Sequence, residues 1–102
     1  MTKKESYYHS LFLLAASMST YEVESEVDTD KGRIDTVLKK EREVIVVEIK
    51  YGKGRKVEGV VKKAIEQIKK KKYYEKYSDS EVSLLSVAFG ENKEMGCKFE
   101  DI

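Results

Sequence analysis

A single cysteine, Cys97, occurs in the 102 residues. That excludes an internal disulfide and any zinc site built on cysteines, and it fits a reducing, cytoplasmic setting. Long hydrophobic runs are also missing. Residues 11–16 follow Lys3 and Lys4 in the manner of a signal peptide, but Glu5, Ser6, His9 and Ser10 interrupt the approach. The apolar stretch is too short for a signal core or a membrane span, so it reads as a buried helix face and no membrane association is expected. No G-x-x-x-x-G-K-[ST] segment occurs, so no NTPase phosphate-binding loop is expected in the chain. Proline and tryptophan are absent too, which excludes little. Nor is there an excess of one charge: 20 Lys and Arg against 19 Asp and Glu leave +1, a balance that names no partner.

The distribution of charge says more than its sum. Lysines crowd residues 62–76 and acids crowd residues 22–30, so one face should be basic despite the neutral total. The length suits one domain over residues 1–102 with a single modest core. Residues 3–18 carry apolar side chains at helical spacing (Tyr7, Tyr8, Leu11, Leu14, Ala15, Met18). Residues 20–30 alternate, with Tyr21, Val23, Ser25 and Val27 against Glu22, Glu24, Glu26 and Asp28, as a half-exposed strand does. Residues 33–39 return as a second strand, Ile34, Thr36 and Leu38 on one side and Arg33, Asp35 and Val37 on the other. Residues 43–51 form a third, more fully buried strand. Gly52 and Gly54 break the pattern, and a helix from Val57 is expected to run on as far as Tyr77. Residues 82–89 read as an apolar strand, 90–96 as a polar loop and 97–102 as a short edge strand. This is an α/β class with a mixed sheet, in the order α-β-β-β-α-β plus the edge strand. The first three strands should form an antiparallel meander, and the helical crossover should make the third and fourth parallel.

One constellation exceeds what folding needs: Asp35, then Glu48-Ile49-Lys50. Residues two apart on a strand share a face, so Glu48 and Lys50 lie side by side on an otherwise buried strand, where unpaired charge is costly. Asp35, on the preceding strand, can lie across from Glu48. Two carboxylates with the Ile49 carbonyl would offer the oxygen set that Mg2+ prefers. The cation would polarise a phosphate and acidify a water, and Lys50 would stabilise developing negative charge. A plain Glu48–Lys50 salt bridge explains the same triplet equally well on periodicity alone.

Four blocks, in order and nearly spanning the chain, go beyond the triplet: Glu5-Ser6-Tyr7-Tyr8-His9-Ser10-Leu11-Phe12, Gly32-Arg33-Ile34-Asp35, Val47-Glu48-Ile49-Lys50, and Ala64-Ile65-Glu66-Gln67-Ile68-Lys69 continuing to Tyr73 and Tyr77. On these the chain resembles the PD-(D/E)XK nuclease superfamily, and more closely the nuclease module at the C-terminus of AAA-ATPase-like proteins. Ile34 stands where the superfamily name has proline, at a position that varies. The resemblance implies a restriction-endonuclease-like core and a Mg2+-dependent nuclease, with Mn2+ able to substitute, acting on DNA as an endonuclease. Asp35 and Glu48 would be metal ligands, Lys50 the catalytic lysine and Gln67 a supporting polar residue; Glu5 is a candidate further ligand. Lys53, Arg55 and Lys56 in the glycine-containing loop, with Lys69 and Lys70 among the helix lysines (Lys62, Lys63, Lys71, Lys72 and Lys76 are others), are candidates for sequence-independent phosphate contacts. His9 is a further candidate for a phosphate or the metal shell. A homodimer and an ATPase partner chain are expected companions. A junction-resolvase-like enzyme and a catalytically silent nucleic-acid-binding or assembly module are the alternatives.

Overall fold

In the computed structural model the backbone is described for residues 3–102, and side chains for all of these except residues 3–7, 14, 73 and 93. Helix α1 (Lys3–Ser17) leads into β1 (Glu22–Thr29), β2 (Gly32–Lys40) and β3 (Glu43–Tyr51). Then come α2 (Val57–Lys71), a 3-10 turn (Tyr73–Tyr77), β4 (Glu81–Phe89), a second 3-10 turn (Glu91–Lys93) and β5 (Met95–Asp101). One five-stranded sheet runs β1-β2-β3-β4-β5. β1, β2 and β3 are antiparallel neighbours, β3 and β4 are parallel across the α2 crossover, and β5 is antiparallel to β4. No helix among the described residues is long and apolar enough to cross a membrane.

Each sheet face has its own core, which is why β3 is apolar on both sides. Under α2 lie Val37, Val44, Val46 and Leu84, closed by Ile65, Ile68 and Tyr77. On the α1 side Ala16 covers Leu38, Val47 and Ile49, flanked by Phe12 and Phe89. The row Val44, Val46 therefore continues along β3 as Glu48 and Lys50, so both charged residues lie on the α2 side.

Strict alternation along β1 and β2 does not survive the whole hairpin. Tyr21, Val23 and Leu38 belong to the α1-side core, but Val27 and Ile34 join the α2-side core. The change comes where the β1–β2 ladder skips the Glu26–Asp35 level: Ser25↔Thr36 and Val27↔Ile34 pair on either side of it, and Glu26 has φ 52°. The register is the same before and after, so this is a bend rather than an inserted residue.

The second helix stops earlier than its lysine-rich pattern suggests. Lys72 turns left-handed (φ 56°, ψ 38°), and its N–H donates to the Ile68 carbonyl at 2.9 Å, closing α2. The redirected chain forms the 3-10 turn and drops Tyr77, 8% exposed, into the core, with Tyr74 packed against it. Those two rings pack the fold. β5 also starts two residues before residue 97, because Phe89 pairs with Met95. At the other end of the crossover, a Cβ on Gly52 would lie 2.8 Å from Val60 Cγ2. Glycine there lets the loop after β3 press against the first turns of α2.

Candidate active site

The β2–β3 ladder ends at Thr36↔Val47. One level further, the same register would set Asp35 opposite Glu48, and there the strands part. Asp35 thus sits at a level where β2 continues neither ladder. Its Oδ2 accepts a hydrogen bond from the Ile49 N–H at 3.2 Å. The N–H and C=O of a strand residue point toward the same edge, so the Ile49 carbonyl opens into the same fork.

Glu48 is 7% exposed. Burial, and then the charge of the Asp35 carboxylate, push its pKa up to about 8, while Lys50 opposes the shift. Lys50 Nζ lies 3.6 Å from Glu48 Oε2, with its side chain 38% exposed. At that distance and exposure the ammonium only partly offsets two carboxylates, and the fork is short of positive charge. Two hard oxygen donors with a carbonyl beside them suit Mg2+, which binds through one or two carboxylates and keeps several waters. Among the described residues no three His, Cys, Asp or Glu side chains converge to hold a metal. The Glu5 side chain lies outside the described residues.

Asp35, Glu48, Lys50 and Gln67 line one cleft of about 130 Å3, together with Arg33 and Ile68. Gln67 reaches it from α2, one position from the buried Ile68. Through Lys50 and Gln67 the cleft adjoins a second of about 260 Å3, lined also by Tyr51, Arg55, Val60, Lys63 and Ala64. The two form a groove with carboxylates at one end and cations along the rest. A larger cleft of about 890 Å3 lies toward the start of β3 and β4; Glu43, Glu75, Glu81 and Asp101 line it without a lysine or arginine, so it would repel a phosphate.

Other candidates are placed differently. His9 is buried on the α1 side, its Nε2 3.1 Å from Thr36 Oγ1, and does not line the cleft. Helix packing claims it because Thr36 points away from Asp35. Lys69 is engaged in an ion pair with Glu100 on β5. Lys53 and Lys70 are exposed and line neither cleft of the groove, and Lys56 lines a separate one with Glu91 and Glu94. Arg33, which donates from Nε to Asp28 Oδ1 at 3.0 Å, also lines the cleft; no sequence signal marks it, because alternation breaks at the adjoining bend. Among the helix lysines, Lys63 is set apart by lining the groove.

In the fold Glu48 keeps its proton up to about pH 8, against an ordinary value of 4.5. Between those values the folded chain binds a proton that the unfolded chain has lost, so this group makes stability fall as pH rises and level off above that window. In EDTA, the urea midpoint of wild type minus that of Glu48→Gln is expected to decline from pH 5 to pH 8. A pH-independent difference would contradict the assigned environment.

A comparison with protein families matches residues 3–99 to the PD-(D/E)XK nuclease superfamily. No curated protein matches the chain at a significant level. The matched span takes in both carboxylates of the fork, Lys50 and Gln67, and all five strands at least in part. The chain belongs to the PD-(D/E)XK nuclease superfamily.

Proposed function

We propose that the protein is a metal-dependent endonuclease that hydrolyses phosphodiester bonds in DNA, with Mg2+ as its cofactor and Mn2+ able to replace it. The observation that carries this reading is the desolvated Glu48 facing Asp35 at the strand fork, with Lys50 beside it and the basic groove leading away. A simple salt bridge accounts for Glu48 and Lys50 but not for a second carboxylate set against the first. Like charges opposed on neighbouring strands are destabilising, so their placement asks for a cation.

When bound, the divalent ion supplies Lewis acidity to the phosphodiester and acidifies water. Asp35 and Glu48 would hold it, with the Ile49 carbonyl as a third oxygen. Lys50 sets a positive charge where the phosphorane's negative charge develops. Gln67 offers an amide to orient a water or a phosphate oxygen. Arg55 and Lys63 line the path of the flanking backbone, and such contacts give register without sequence preference.

Purified protein should relax or linearise supercoiled plasmid in Mg2+ or Mn2+ and stop in EDTA. Asp35→Ala, Glu48→Ala and Lys50→Ala are each expected to lower the rate by about a hundredfold or more. Equal cleavage by wild type and Glu48→Ala, or none by either, would overturn the reading.

Binding separates the groove from the other lysines. Arg55→Ala and Lys63→Ala are each expected to reduce the slope of log K against log salt by about one, measured by fluorescence anisotropy on duplex DNA in Ca2+. Lys69→Ala, whose ammonium already serves Glu100, should leave the slope unchanged.

A further inference from the structure

Ser86 lies in the middle of β4, fully buried, and its hydroxyl has no hydrogen-bond partner among the described residues. A buried hydroxyl without a partner is a standing cost to a fold. Packing does not explain it. The neighbours of Ser86 in its row beneath α2 are Leu84 and Ala88, both fully buried, and an alanine would fill the same place without stranding an oxygen.

The register supplies a reason. In the parallel ladder Ser86 is the direct partner of Glu48, and cross-strand partners share a face. On its other side the partner is Lys98 of β5, an exposed side chain that can only donate. Glu48 is thus the acceptor-bearing side chain that the sheet sets beside the serine. An ionised carboxylate takes several hydrogen bonds, and Lys50 approaches Glu48 Oε2 no closer than 3.6 Å.

We propose that Ser86 is a positioning residue of the metal site: turning about χ1, its hydroxyl donates to the Glu48 carboxylate and holds it in the orientation that receives a divalent cation. This rests on the reading of Asp35 and Glu48 as metal ligands. Donors that orient a ligating carboxylate typically govern metal affinity although they never touch the metal. That role accounts for a hydroxyl where an alanine would pack equally well.

The test measures Mn2+ dissociation constants from the paramagnetic resonance of the free ion, with thermal unfolding in EDTA alongside, for wild type, Ser86→Ala and Ser86→Cys. Ser86→Ala is expected to weaken Mn2+ binding about tenfold or more while its unfolding midpoint in EDTA equals or exceeds that of wild type. Ser86→Cys, of similar size with a weak donor, should fall between. Mn2+ binding by Ser86→Ala within about twofold of wild type would overturn the proposal. So would a loss of midpoint in EDTA, which would make the hydroxyl a prop of the fold. Wild type that binds no Mn2+ would instead sink the metal-site reading beneath it.

Discussion

Beyond Thr36↔Val47, the Ile49 amide donates to the Asp35 carboxylate instead of extending the β2–β3 ladder. That one substitution of a side chain for a strand partner sets the rest of the site. It fixes Asp35 at the fork and turns it toward the row that Glu48 and Lys50 occupy on β3. It also leaves a backbone carbonyl facing the gap. Two carboxylates then confront one another where burial already penalises charge, and Glu48 answers by keeping a proton. On the proposed function a divalent cation would take the place of that proton.

The two-sided sheet makes such a position attainable. β3 is buried on both faces, so the end of its Val44–Val46 row is desolvated before any charge is placed there. Helix α2 covers that row and brings Gln67 and Lys63 to the same groove. Gly52 allows the close approach of the loop that carries Arg55. The crossover that makes β3 and β4 parallel also places Ser86 beside Glu48. Fold and site are therefore one arrangement seen at two scales.

Much of this was legible in the residues. The E-x-K spacing put Glu48 and Lys50 on one face, and the third strand's apolar run made that face costly. The motif blocks drew Asp35 and Gln67 toward the same place. What escaped was long-range or conformational. A left-handed Lys72 ends α2 without the glycine that usually announces such a turn, so the lysine pattern ran on past it. The bend at Glu26 and Asp35 keeps the register, so Val27 and Ile34 change faces with no mark in the sequence. Lys69 finds Glu100, thirty-one positions on, only once β5 lies beside β4. His9 shares its block with Glu5 yet is drawn to Thr36, because a buried imidazole needs a polar partner more than a phosphate needs it.

On the proposed function the Asp35–Glu48 pair takes a divalent cation in place of a proton. Titration calorimetry of Mn2+ binding at pH 7, repeated in buffers of different ionisation enthalpy, counts the protons released per ion bound. With Glu48 protonated below about pH 8 in the cation-free chain, release should approach one proton per bound ion in wild type and vanish in Glu48→Gln. Binding of Mn2+ with no proton released, or no binding at all, would rule out that exchange.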